Sequence, residues 1–270
     1  MDFQGAGVVV TGAAGGIGAA LARRFHALGA RVVLSDLPGD RLTTVAAELE
    51  GRRPASAWAV PSDVSTEEGN RALVNTASEV LVSGIDLFFA NAGVGTGTIL
   101  ESTSEAEWNT AFDVNVHAHR WAAKHLIPTW LEQGRGYFCS TASAAGLLSQ
   151  IGSMPYSVSK AAAVAFAESL QITYGDRGIR VSCLCPQGVN TDMLRQGDVP
   201  GVGTASSIVR AAGDVLEPED VAEFTARAIE AETFLILPHP QVADFVQRKA
   251  ADRDRWLVGM RKLQARVLGS

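Results

Sequence analysis

A tyrosine and a lysine stand four positions apart in Tyr156-Ser157-Val158-Ser159-Lys160. On a helix that spacing puts both side chains on one face. A phenol, with an ordinary pKa of about 10, is a poor base near neutrality. An ammonium beside it favours the phenolate and lowers that pKa. The tyrosine can then take a proton from an alcohol or return one to a carbonyl oxygen. The pair alone is a weak signal, since an ordinary amphipathic turn looks the same. Ser143, 13 residues upstream in Ser140-Thr141-Ala142-Ser143-Ala144-Ala145-Gly146 and following an apolar strand-like run, makes the constellation specific.

A second group of residues lies near the N-terminus. Thr11-Gly12-Ala13-Ala14-Gly15-Gly16-Ile17-Gly18 joins an apolar run to a segment of helical spacing. Glycines there let the backbone turn tightly and approach a pyrophosphate, and the helix start offers free N–H groups at a positive dipole end. Gly18, lacking a side chain, lets helix and sheet pack closely. Asp36 follows 18 residues after Gly18, at the end of the second apolar run. An acid at that point accepts hydrogen bonds from the adenosine ribose hydroxyls and repels a 2′-phosphate. No Arg or Lys lies within the glycine loop or directly after Asp36-Leu37. NAD is therefore expected in preference to NADP. A nicotinamide cation held by this apparatus would add to the effect of Lys160 on Tyr156. Asp63, followed by Val64, reads either as a partner for the adenine amino group or as an acid at a helix start.

These residues need a frame that brings them together. Gly7–Thr11, Arg31–Ser35, Ser56–Val60, Asp86–Ala90, Tyr137–Ser140, Arg180–Leu184 and Phe234–Leu237 read as strands. The stretches 17–28, 40–50, 65–82, 104–130, 155–175 and 218–231 between and after them read as helices, the fourth stopped or kinked near Pro128. Strands apolar on both faces, alternating with helices, make a parallel sheet covered on both sides. The expected fold is α/β, a single doubly wound domain with a seven-stranded parallel sheet. It spans residues 1–238, with a loop over about 187–214 that orders on binding. Residues 239–270 carry an apolar stripe on a highly charged segment and read as one or two appended amphipathic helices.

Taken together, the sequence closely resembles the short-chain dehydrogenase/reductase family over roughly residues 5–237. The resemblance is carried by Thr11-Gly12-x-x-x-Gly16-x-Gly18, Asn91-Ala92-Gly93, Asn115, Ser143, Tyr156-x-x-x-Lys160 and Pro186…Val189-x-Thr191. It implies a Rossmann-fold oxidoreductase transferring hydride between NAD(H) and a secondary alcohol or ketone. It makes Tyr156 the general acid/base, with Ser143 steadying the substrate oxyanion. Lys160 would lower the Tyr156 pKa and bind the nicotinamide ribose. Asn115 would kink its helix and hold a water in a proton relay. Thr11, Gly12, Gly16, Ile17, Gly18, Asp36, Leu37, Asp63, Val64, Asn91, Ala92, Gly93 and Pro186 are the other cofactor positions, with Val189 and Thr191 on the nicotinamide carboxamide.

The chain departs from the family pattern in three places. Ala90 stands where the family has a first Asn, a position that mainly braces the sheet. Gln187 stands where a glycine usually follows Pro186, and its amide is expected against the substrate. The usual glycine-rich ending is replaced by Leu237-Pro238-His239-Pro240 and the helical extension. A family tetramer interface is therefore blocked or rebuilt, and a homodimer through helices 104–132 and 155–175 is an equal expectation. The substrate walls are expected from 94–98, 144–154 and 187–210, with Val94, Ile151, Met154, Gly188, Met193 and Leu194 against the ligand beside Ser143 and Tyr156. They hold few charges, which suits an uncharged, fairly apolar substrate.

Composition narrows the remaining readings. The 270 residues carry a net charge of −6 and 47% hydrophobic residues, which exclude disorder and a nucleic-acid footprint. Cys139, Cys183 and Cys185 form no disulfide framework or zinc ribbon and read as buried hydrophobes. His117 and His119, two apart on a helix, point different ways, so no metal site is expected. With no leader and no long apolar run visible, a cytoplasmic protein without membrane contact is expected. Two alternatives stay open, a non-catalytic NAD-binding sensor or scaffold and an epimerase or dehydratase of the same family.

Overall fold

A computed structural model of the chain describes residues 1–196, 208–210 and 213–268. Seven strands, β1 (Gly7–Thr11), β2 (Arg31–Ser35), β3 (Ala57–Ala59), β4 (Leu87–Ala90), β5 (Gly136–Thr141), β6 (Ile179–Leu184) and β7 (Leu235–Ile236), form one sheet in the order β3-β2-β1-β4-β5-β6-β7. Every pairing is parallel. The pleat sends alternate side chains to opposite faces. Val8 and Val10 accordingly pack into one core layer and Val9 into the other, as Phe89 and Phe88 do on β4. This two-sided burial is why the strands read as unbroken apolar runs.

Among the described residues there are eleven helices. α1 (Gly16–Ala27) and α2 (Asp40–Arg52) cover one face with α9 (Pro218–Glu230), which lies against α1. α3 (Glu67–Val80), α5 (Ala118–Gln133) and α7 (Met154–Tyr174) cover the other. Thr66 starts α3 by accepting from the Gly69 N–H, and Ser104 with Glu107 forms a reciprocal cap at α4 (Glu105–Phe112). The chain leaves β1 toward β2 on one side and returns at β4 on the other. The C-terminal ends of β1 and β4 are thus the switch point, where α/β sheets open a crevice.

Two local features differ from expectation. The long helix does not stop at Pro128, which sits inside α5. Pro128 and the Lys124 side chain one turn before it are both exposed, so solvent is at hand for the carbonyl that the missing N–H leaves free. The break comes earlier, as a π-helical turn over Asp113–His117 between α4 and α5, around Asn115, the residue expected to kink this helix. A short helix, α6 (Ala144–Leu148), stands where no helix was expected, its N-terminus capped by the Ser143 Oγ accepting from the Ala145 N–H at 3.1 Å.

Beyond β6 come α8 (Asp192–Gln196) and, after β7, α10 (Gln241–Ala251) and α11 (Arg253–Leu268). The appended segment is thus two helices; α10 packs on α6, and α11 on α10 through the Phe245 and Trp256 rings. Part of the expected substrate loop, including Asp198, Val199 and Val202, lies outside the described residues. Among the described residues no helix is long and apolar enough to cross a membrane.

Candidate active site

The glycine turn is shaped by what it excludes. A Cβ on Gly18 would run into the Gly12 carbonyl oxygen and lie 2.7 Å from the Asn91 amide nitrogen. Gly12 and Gly16 have φ of +67° and +51°, the left-handed region that favours glycine. Gly15 begins α1 with no side-chain cap, and the first turn of α1 carries no acid. Those free amides suit an anionic group. Asp36 ends β2 half-buried, its carboxylate accepting from the Ala14 N–H at 2.9 Å and the Leu37 N–H at 2.8 Å. The exposed Leu37 follows it. These residues fit a dinucleotide: a turn without side chains, a free helix start, and an acid one strand away.

Several residues expected at the cofactor are also hydrogen-bonded within the protein. The Thr11 hydroxyl accepts from the Asn91 and Ala92 N–H groups, and the Asn91 side chain donates to the Thr11 carbonyl and accepts from the Thr141 hydroxyl, each at 2.9–3.0 Å. Asn91 therefore staples the ends of β1, β4 and β5 together. Asp63 accepts from the Ser65 amide and hydroxyl, which matches its alternative reading as a helix-start acid. Arg41 was passed over in the sequence. The first turn of α2 brings its guanidinium over Gly15, where it pairs with Asp192 at 2.9 Å.

The catalytic side is a buried polar cluster. Lys160 is only 2% exposed and donates to the Thr141 carbonyl at 2.8 Å. Burial lowers its pKa to about 8. Its ammonium lies 5.8 Å from the centre of the Tyr156 ring. Asn115, fully buried in the π turn, accepts from the Val94 N–H and donates to the Val94 carbonyl and the Ser159 hydroxyl. An added Cβ on Gly93 would sit 3.1 Å from Lys160 Nζ and 3.2 Å from Asn115 Oδ1, so the two groups converge across it. His119, one turn beyond Asn115, is buried with no hydrogen-bond partner for either ring nitrogen. Burial, with Lys160 adding to it, holds its pKa at about 3. His117 points elsewhere, against the Phe112 and Trp121 rings.

Tyr156 departs from one expectation. Burial raises its phenol above the ordinary value, and the Ser143 side chain opposes that rise. The fall expected from Lys160 and a bound nicotinamide is not a property of the protein alone.

Segments expected to wall the substrate touch one another at two points: Met193 on α8 lies against Gly95, and the Met154 N–H donates to the Thr98 carbonyl at 2.9 Å. Ile151 is buried, while Met154 and Met193 are each about two-fifths exposed. The loop after β6 is held by a bridge between Val189 and Leu216, and Thr191 approaches Gly16. Gln187 turns its amide oxygen to Gln241 Nε2 at 3.2 Å, a contact with the C-terminal segment that no local pattern announced.

Comparison with known proteins agrees with this geometry. The family described as short chain dehydrogenase matches residues 6–198. The chain is 37% identical over 240 residues to the 1-deoxy-11-beta-hydroxypentalenate dehydrogenase of Streptomyces exfoliatus, covering 87% of this chain and 84% of the relative. It is 35% identical over 227 residues to the meso-2,3-butanediol dehydrogenase of Serratia marcescens, covering 84% and 88%. The crystal structure of a short chain dehydrogenase/reductase from Burkholderia phymatum in complex with NAD superimposes with a TM-score of 0.86 at 30% identity, over 94% of this chain and 96% of the other. The chain belongs to the short-chain dehydrogenase/reductase family.

Proposed function

We propose that the protein is an NAD(H)-dependent dehydrogenase/ketoreductase of an uncharged, fairly apolar secondary alcohol or ketone. The observation that carries this reading is the convergence of Lys160 and Asn115 across Gly93, with the Lys160 ammonium 5.8 Å from the centre of the Tyr156 ring. Pure binding has no use for that set, which is why a sensor or scaffold is the poorer account.

Gly12, Gly16, Gly18 and the start of α1 would hold the pyrophosphate, Asp36 the adenosine ribose, and Val189 and Thr191 the nicotinamide carboxamide. When bound, the dinucleotide supplies or accepts the hydride at the substrate carbon. In reduction, the Tyr156 hydroxyl gives its proton to the carbonyl oxygen while Ser143 hydrogen-bonds that oxygen. In oxidation the same hydroxyl, as phenolate, takes the proton back. Lys160 favours the phenolate through its charge, and Asn115, pinned on Val94 and Ser159, keeps the floor of the site in register. Asp36 supports NAD over NADP, because a 2′-phosphate would meet its carboxylate. The charge of Arg41 nearby is committed to Asp192. The Streptomyces and Serratia relatives, by their names, act on hydroxylated carbon skeletons, which agrees with the substrate class.

The test is oxidation of NADH and of NADPH against a panel of ketones, followed at 340 nm. Turnover with NADH preferred is expected. Turnover with NADPH preferred would refute the role of Asp36. NADH binding without turnover of any substrate would turn the reading toward a sensor, and substrate conversion without net NADH change toward an epimerase or dehydratase.

A further inference from the structure

We infer that His239, with helix α10 behind it, is a positioning clamp on the two segments that carry the reacting groups, an inference that rests on the oxidoreductase reading above. Along β6 the ladder to β7 runs from the Cys183 N–H to the Phe234 carbonyl at 2.6 Å and from the Cys185 N–H to the Ile236 carbonyl at 2.9 Å. The next rung belongs to the Gln187 N–H, but β7 has ended and Pro238 follows. His239 supplies that rung with a side chain: the Gln187 N–H donates to Nδ1 at 3.2 Å. Because Nδ1 accepts, the proton of the neutral ring sits on Nε2, which donates to the Gly188 carbonyl at 3.0 Å. One imidazole, 2% exposed, thus grips the amide of one residue and the carbonyl of the next. The same Gly188 carbonyl also accepts from the Leu216 N–H at 3.0 Å. Val189 and Thr191, assigned above to the nicotinamide carboxamide, follow directly.

The clamp has a second jaw. Gln241 opens α10 and donates to the Gln187 side chain. Val242 is fully buried, and two turns further on Lys249 Nζ donates to the Leu147 carbonyl at 2.6 Å. Leu147 lies on α6, the helix that Ser143 caps. One helix therefore ties the nicotinamide-side loop to the Ser143-side helix and fixes the distance between them. This also replaces the expected role of Gln187: its amide is held by the clamp rather than offered to substrate.

The experiment compares His239→Ala, His239→Asn and Lys249→Met with wild type. Its readouts are NADH affinity by protein-to-NADH fluorescence transfer, amide hydrogen exchange over 186–191 in the ligand-free protein, and the KM and kcat split. His239→Ala should speed exchange of the Gln187 amide and weaken NADH binding about tenfold, the loss of two ordinary hydrogen bonds. His239→Asn, whose Oδ1 takes the place of Nδ1, should recover most of that affinity. Lys249→Met should raise the ketone KM and leave NADH affinity alone. Exchange and NADH affinity in His239→Ala within twofold of wild type would overturn the clamp. If His239→Ala does not fold, His239→Leu takes its place under the same criterion, and a ketone KM of Lys249→Met within twofold of wild type would overturn the second jaw. A wild type that binds no nicotinamide dinucleotide overturns the oxidoreductase reading and the clamp together, whereas one that binds NADH beside an indifferent variant overturns the clamp alone.

Discussion

Around Gly12–Gly18 the site is made of backbone, and the residues that shape it lie within seven positions of one another. Around Tyr156 it is made of side chains drawn from distant positions: Asn115 reaches Val94 and Ser159, Lys160 reaches Thr141, and His239 reaches Gln187. The two regions fail differently. The glycine side has no room, so an added atom damages it. The tyrosine side is buried and polar, so a lost bond or charge damages it, because a stranded polar group pays its desolvation without return.

The sharpest way to separate them is Tyr156→Phe. Removing the hydroxyl should lower kcat by about 10²–10⁴-fold, the usual worth of a general acid/base, with NADH affinity retained. A variant that loses NADH affinity equally would erase the distinction between the two regions. Next in size, Gly18→Val forces a Cβ onto the Gly12 carbonyl oxygen. It should cost about 1–3 kcal/mol of stability by overpacking and abolish dinucleotide binding, read by thermal melting and fluorescence titration. Asp36→Asn acts on the same side without adding an atom. Losing a charged acceptor of ribose hydroxyls should raise the NADPH-to-NADH ratio of kcat/KM by about 10- to 100-fold. The smallest effect belongs to His119. The folded chain refuses a proton on His119 down to a pH of about 3, whereas the unfolded chain accepts one near the ordinary imidazole value of 6.5. Stability therefore falls as pH drops from 6.5 toward 3. His119→Leu should melt like wild type at pH 8 and above it at pH 4.5; a constant difference across that range would remove buried charge from the account.

The glycine half was legible in the sequence because its rules are local: strand, tight turn, helix and terminal acid follow one another in order, and β1 and β2 fall on their expected limits. The four residues proposed for catalysis were legible for another reason, the family spacing of Ser143, Tyr156 and Lys160 with Asn115. What no spacing could show is how they are held. The staple made by Asn91, the convergence across Gly93, Arg41 over Gly15 and the rung added by His239 all join positions many residues apart, and they exist only once the sheet is assembled. Pro128 misled for a complementary reason. Proline marks a helix break in the chain alone, but an exposed site near a helix end lets solvent cover the loss. The real irregularity had no proline or glycine to announce it.

That irregularity, the π turn at Asp113–His117, is one residue more than a regular helix would hold. Successive residues of an α-helix advance by about 100°. Deleting a single residue there would straighten the rod and rotate everything beyond it by that angle relative to Asn115. Ala122, Leu126 and Trp130, now seated on the sheet, would then swing toward water whenever Asn115 kept its place, and Asn115 would leave Val94 whenever they kept theirs. The extra residue acts as a phase shifter between a chemical half-helix and a structural one. It lets the two halves face their separate tasks, and it makes this short stretch the place where a change in chain length, rather than in side chain, would be felt most.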